Sequence, residues 1–350
     1  MWGRRGEGSG SLRIREFAVG RTVGASLLLA SLLTVPVNTL AQAPQKVTFN
    51  MGWLPQGSMM GFAVALEQGY YAESGLAVEL HRGYGGLQAT NDVAQGNFHV
   101  AYGDPASVIL NRSKGGRVKL VGMILDRFPM GAVCRKEAGV RTPKDLEGRA
   151  LSHAPGSPDT IIQPIFFRLN GVNPQAVKMV TLKPEVNISN LLEGKIDCIS
   201  GWRGSTYSVV QVLARRRGRE ITFLPFRDWG MDIYANGIVT SDRLVAEQPD
   251  LVRRFVRASY RGYAWGGRSP EQAVELLLKR FPMLDREIVT LQWRESHEIM
   301  QGSAFRERGY GWIVEEKMAR TLKTVTEAYK IQQPITTADI YTNEFLAGTP

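Results

Sequence analysis

Two cysteines and four histidines are all that the 350 residues contain. So few thiols exclude a disulfide framework and any all-cysteine metal site. The histidines, His81, His99, His153 and His297, are scattered, and no H-E-x-x-H, G-x-S-x-G or phosphate-loop pattern accompanies them. No residue is therefore assigned a catalytic or metal-binding role, and no cofactor is expected. Long apolar runs are also missing: the most hydrophobic stretch, "ASLLLASLLTVPV" at 25–37, is shorter than the ~20 residues that span a bilayer. There is no low-complexity segment and no repeat, and 43% hydrophobic against 22% charged residues is an ordinary globular balance with room for two domains.

That apolar run follows an Arg-bearing start and precedes the small-residue stretch "NTLAQAP", the order of a secretory signal peptide. Cleavage is expected after Ala41, because a cut after Ala43 would leave Pro44 first. No cysteine lies nearby to carry a lipid. The pair Arg4-Arg5 stands far from the apolar run, so the export route is left open between the general and the twin-arginine pathway. Loss of residues 1–41 removes five Arg and two Glu, taking the formal charge from +10 to +7. The remaining Lys and Arg are spread along the chain without a nucleic-acid motif, and no nucleic-acid partner is expected. The run "ARRRGRE" at 214–220 reads as a solvated helix end, and Arg253, Arg254, Arg257 and Arg261 as a solvated helix face.

Beyond the leader, strand-like and helix-like patterns alternate. "KVTFNMG" (46–52), "LAVELHR" (76–82) and "FHVAYG" (98–103) read as strands separated by helices, a βαβαβ order that implies a parallel sheet. After "GAVCRKE" (131–137) the pattern restarts with "GRALSHA", "VKMVTL" and "IDCISGW". The strands "ITFLPF" and "ANGIVT" follow, and from Asp242 onward the chain reads as helical. Two α/β lobes joined by two crossing strands, with a helical C-terminal tail, would enclose a cleft.

With strand, W-x-P, helix, "GYYAESGLAVEL", then "GDPASV" and "KDLEGRALSHAPGS" in that order, residues 46–285 resemble the periplasmic substrate-binding proteins of ABC importers. Within them the chain is similar to the branch related to thiamine-pyrimidine synthases, with binders of thiamine precursors, riboflavin and, more distantly, nitrate, sulfonates and taurine. The resemblance implies an α/β type II periplasmic-binding fold of two doubly wound lobes: residues 42–131 with 239–350, and residues 132–238. It further implies a monomer that closes on a small molecule and docks transiently on a membrane permease driven by its ATPase.

Ligands of such folds sit beyond the carboxyl ends of the parallel strands. That rule nominates Trp53, Gln56 and Gly57 after the first strand, Tyr84 after the second, and Tyr102 and Asp104 at the third. In the other lobe it nominates His153 and Ser157, with Pro158 at the first helical position, then Trp202 and Arg203, and Trp229, Tyr234 and Asn236 before the return crossing. So many aromatics favour a flat heteroaromatic ligand of pyrimidine or flavin type held by stacking. The alternative is a small anion, such as a sulfonate or nitrate, held by helix N-termini and Arg203. The fold also implies that the first crossing strand lies antiparallel to the third strand of the second lobe, which makes a Cys134–Cys198 disulfide possible. A synthase would need a Cys-rich iron-linked motif, whereas the corresponding "EGKIDCISGWRG" holds a single cysteine. A binding protein that signals instead of transporting is a further alternative.

Overall fold

The computed structural model describes residues 43–155, 157 and 159–350. The leader with its expected cleavage point, and Pro158, lie outside the described residues.

Among the described residues, two five-stranded sheets carry the architecture. The first has the order β2 (Leu76–His81), β1 (Gln45–Asn50), β3 (Val100–Gly103), β10 (Gly237–Ser241), β4 (Val118–Met123), with α1 (Met60–Glu67), α2 (Tyr70–Glu73), α3 (Gly86–Ala94) and α4 (Pro105–Ser113) in its connections. The second has the order β7 (Lys178–Thr181), β6 (Ala150–His153), β8 (Cys198–Trp202), β5 (Met130–Arg135), β9 (Ile221–Pro225), with α5 (Asp159–Leu169), α6 (Pro184–Leu192) and α7 (Thr206–Arg216). In each sheet four of the five strands run in one direction, and the fourth in the order, β10 or β5, is antiparallel to both its neighbours. That fourth strand is in each case the one that has just arrived from the other sheet.

The chain passes between the sheets at 124–129, which is irregular, and at 226–236, which is irregular after one short turn of 3-10 helix. The crossing strands expected from sequence, β5 and β10, therefore lie within the sheets and not between them. Strand β4 is absent from the sequence-based map. Its segment "VKLVGM" is buried at five of six positions, so it lacks the period-2 alternation by which a half-buried strand is recognised.

Among the described residues, seven further helices complete the fold: α8 (Asp242–Glu247), α9 (Pro249–Arg268), α10 (Pro270–Arg280), α11 (Arg286–Met300), α12 (Ser303–Arg308), α13 (Glu315–Tyr329) and α14 (Thr337–Ile340). The arginines of α9 do not form a free solvated face. Arg254 donates to Asp250, the Ser74 carbonyl and Gln45, and Arg261 pairs with Glu73 while lying 3.7 Å from the centre of the Tyr70 ring. They tie the tail to β1 and α2.

The tail also reaches the second sheet. Tyr329 donates to the Ile161 carbonyl in α5, and α11 packs on α7. Cys134 and Cys198, paired in register on β5 and β8, form a disulfide.

Candidate functional site

Strands β1, β3, β6 and β8 all end toward the space between the two sheets, and the loops that follow them build a cleft there. Its inner chamber holds about 600 Å³ of empty space, part of it open to solvent, and is lined by residues of both lobes. A turn with positive φ at Gly52 starts the first loop. A Cβ there would lie 2.2 Å from the Tyr102 carbonyl, so only glycine lets β1's exit run against β3. The Asn50 side chain locks this turn by accepting from the Gly52 N–H at 2.9 Å. Trp53 and Gln56 then enter the chamber.

Of the side chains nominated from sequence, Trp53, Gln56, Tyr102, Ser157, Trp202, Arg203 and Asn236 line the chamber together. The Gln56 amide donates to Ser58, and its oxygen accepts from Ser205 of the opposite lobe. Tyr102 is buried, and its hydroxyl makes no hydrogen bond among the described residues. Trp202 stands edge-on to Phe128 and donates its indole N–H to Asp159 at 2.8 Å.

The other nominees do not line the chamber. Asp104 caps α4, accepting from the Ser107 N–H at 2.9 Å and the Ser107 hydroxyl at 2.6 Å. Gly57 is pressed against α11, where a Cβ would meet the Trp293 nitrogen at 2.4 Å. Both ring nitrogens of His153 are engaged, by Gln163 and Thr181. Tyr84 is 61% exposed, with the Arg82 guanidinium over its ring. The Trp229 carbonyl accepts from Asn170, and the buried Tyr234 hydroxyl accepts from the Val314 N–H at 2.8 Å.

Sequence reasoning did not nominate Asp159, although it is the one carboxylate among the described lining residues of the chamber. It opens α5 behind the β6 loop, only 6% exposed. Burial pushes its carboxyl above the usual carboxylate range, against which the Trp202 N–H and the Ser200 and Ser157 hydroxyls pull. Asp104, across the cleft, is raised in the same way by burial, and the Asp159 charge adds to the effect. A short polar run rich in helix-capping residues hid Asp159, because "SPDT" reads first as a cap. Ser205 and Thr206, one glycine beyond Trp202-Arg203, line the chamber as well.

Arg203 is the one cation among the described lining residues, and it is already paired, at 2.9 Å to Glu298 and 3.6 Å to Glu295. Both partners lie on α11, which holds the two lobes at once. The Gln292 side-chain oxygen accepts from the Gly57 N–H at 2.9 Å and its amide donates to the Ser205 carbonyl. Buried Glu295 accepts from the Gly204 N–H and the Ser208 hydroxyl.

The chamber is lined by tryptophans from two lobes and a buried carboxylate, with no free cation among its described lining residues, and the architecture is a periplasmic-binding fold. Among solved structures, that of the aliphatic sulphonate binding protein SsuA of Escherichia coli shares this fold at a TM-score of 0.66, with 14% identity over 87% of this chain and 99% of that one. The chain belongs to the NMT1/THI5-like family, whose profile matches residues 56–273. Curated relatives include the riboflavin-binding protein RibY of Chloroflexus aurantiacus, 27% identical over 89% of this chain and 90% of the relative. The formylaminopyrimidine-binding protein of Halalkalibacterium halodurans is 27% identical over 76% and 79%. The 4-amino-5-hydroxymethyl-2-methylpyrimidine phosphate synthase of Legionella pneumophila is 22% identical over 89% and 95%.

Proposed function

We propose that this protein is an extracytoplasmic solute receptor: it captures a small heteroaromatic ligand of pyrimidine or flavin type between lobes 42–131 with 239–350 and 132–238, and hands it to an ABC permease in the membrane. The observation that carries the reading is the polarity of the chamber. Asp159, buried in the same lining as Trp53 and Trp202, accepts hydrogen bonds from ring N–H or amino groups, and Tyr102 offers a hydroxyl without a partner among the described residues. A buried polar atom without a partner costs about 1–3 kcal/mol, a cost that a ligand hydrogen bond removes.

The same residues disfavour a small anion. Such a ligand would meet the Asp159 charge, and Arg203 is committed to Glu295 and Glu298. Catalysis of the synthase kind is disfavoured by the fate of the cysteine in "IDCISGW", since Cys198 is bonded to Cys134 on the neighbouring strand and offers no thiolate. The names of two binding-protein relatives, one for a flavin and one for a pyrimidine, support capture over chemistry, and the leader-like residues 1–41 support export.

Stacking on two indoles adds ~0.5–1.5 kcal/mol per pair beyond burial. With a few hydrogen bonds this suffices for a micromolar complex, which needs about −8 kcal/mol. Titration of the purified protein, followed by its tryptophan fluorescence, tests the reading. A pyrimidine or flavin is expected to quench saturably while sulfonates and nitrate do not, and saturable quenching by an anion alone would reverse the assignment.

A further inference from the structure

The loop between β8 and α7 gives the chamber Trp202, Arg203, Ser205 and Thr206, and its turn is held by the tail helix α11. The Arg203 N–H donates to the Pro129 carbonyl and the Ser205 N–H to the Trp202 carbonyl. Around these two bonds α11 supplies three more. The Gly204 N–H donates to Glu295 at 3.0 Å, the Gly204 carbonyl accepts from the Ser296 hydroxyl at 3.3 Å, and the Ser205 carbonyl accepts from the Gln292 amide at 3.3 Å. Gly204 has a φ of +78° and lies so close to α11 that a Cβ would stand 2.2 Å from the Ser296 hydroxyl oxygen. Only glycine fits there.

One oxygen of Glu295 carries most of this arrangement. Its Oε2 accepts from the Gly204 N–H and, at 2.5 Å, from the Ser208 hydroxyl in the first turn of α7, while Oε1 faces the Arg203 guanidinium at 3.6 Å. Glu295 is 4% exposed and does not line the chamber. A buried carboxylate is costly to desolvate unless hydrogen bonds satisfy it, and every partner of this one among the described residues lies in the β8–α7 loop or in the first turn of α7. One turn earlier on the same helix, the buried Gln292 accepts from the Gly57 N–H beside Gln56, in the loop that forms the opposite wall. The far end of α7 is tied to α11 as well. Arg216, expected from sequence on a solvated helix end, pairs with Asp285 and Glu287 at 2.7 Å each, and Asp285 caps α11.

We infer that Glu295 is a positioning residue of the capture site: it touches no ligand, and it sets affinity by holding residues 202–206, with the Trp202 and Ser205 side chains, in place before a ligand arrives. This rests on the receptor reading above and adds to it a residue outside the chamber on which affinity depends. A loop ordered in advance spares the ligand the entropy of ordering it. Freed from α11, the turn has to be ordered by the ligand itself, and binding weakens.

Three variants separate this role from a merely structural one. Glu295→Ala removes the acceptor, whereas Glu295→Gln keeps an oxygen for the Gly204 N–H and the Ser208 hydroxyl and loses only the charge that faces Arg203. Leu251→Ala is a core truncation in the first turn of α9, away from the chamber lining. The purified proteins are titrated calorimetrically with 4-amino-2-methylpyrimidine as the probe, and amide hydrogen exchange of the ligand-free proteins is read by mass spectrometry on peptides covering 202–206. Glu295→Ala weakens the probe about tenfold, or about 1.4 kcal/mol, and speeds exchange in those peptides. Glu295→Gln stays within about threefold of the parent in affinity and matches its exchange. Leu251→Ala lowers the melting temperature at least as far as Glu295→Ala, yet leaves the probe affinity within about twofold of the parent, as expected of an independent site. Unchanged exchange at 202–206 in Glu295→Ala, equal losses in the Ala and Gln variants, or an equal loss of affinity in Leu251→Ala overturns the assignment. A probe that does not bind the parent counts against the receptor reading instead, and the exchange pattern then decides the positioning role by itself.

Discussion

Replacing Asp159 by asparagine separates the two ligand classes by sign. The carboxylate is 6% exposed, and one of its oxygens takes the Trp202 indole N–H at 2.8 Å. Asparagine keeps the shape and an oxygen for Trp202 but removes the charge. A hydrogen bond from a ligand N–H to a charged acceptor contributes roughly 1.5–3 kcal/mol, so its weakening raises the Kd of a ring ligand by about ten- to hundredfold. A small anion bound in the same chamber would gain affinity, because the repelling charge is gone.

The same substitution bears on stability, with a definite sign. Burial raises the folded-state pKa of Asp159 above its unfolded value. Between the two values the folded form binds more protons than the unfolded chain, so stability falls as pH rises through that window. At neutral pH the ligand-free Asp159→Asn variant is therefore more stable than the parent, and at a pH below the window the gain disappears. Calorimetric titration and urea denaturation at neutral and acid pH read both effects. Unchanged or tighter binding of pyrimidines and flavins, or a loss of stability at neutral pH, refutes the role given to this carboxylate.

Further outcomes follow from the same geometry. Trp53→Ala removes one wall of the chamber and raises the Kd of a ring ligand at least about tenfold in fluorescence titration, while an anion would lose little. Reduction of Cys134–Cys198 releases a loop constraint over a sequence separation of 64 residues; chain entropy assigns this about 4 kcal/mol at most, visible as a lower urea midpoint with ligand affinity retained. Glu295→Ala strands the Gly204 N–H and the Ser208 hydroxyl that it now satisfies, and lowers stability by roughly 1–3 kcal/mol in the same denaturation assay. Gly57→Ala drives a methyl into the α11 backbone and lowers the melting temperature in a calorimetric scan.

The fold was legible in the sequence because the parallel strands of its two sheets announce themselves as alternating strands and helices. The edge strand β4 was not, since its segment is buried at five of six positions and carries no alternation. Aromatic residues at strand ends were a sound guide to the chamber: Trp53, Tyr102 and Trp202 meet there. Trp229 and Tyr234, chosen for the same reason, sit in a crossing that the tail covers, and nothing local in the sequence foretells that cover.

Asp104 and Asp159 illustrate the limit well. Both are acids at helix starts, Asp104 as the cap of α4 and Asp159 as the first residue of α5. Only the three-dimensional contacts distinguish the one satisfied by its own helix turn from the one reached by Trp202 and open to a ligand. The clamp on Arg203 was equally hidden, because its partners on α11 lie some ninety residues away.

The central claim is that this cleft captures a heteroaromatic ring, and a thermal-shift screen of the purified protein tests it most directly. The panel would hold pyrimidines, flavins, alkyl sulfonates, taurine and nitrate. A ligand present at about 100 times its Kd stabilises the folded state by about 2.7 kcal/mol, enough to move the melting temperature by several degrees. The account predicts such a shift with a ring compound and none with the anions. A shift with a sulfonate or nitrate and none with any ring would contradict it.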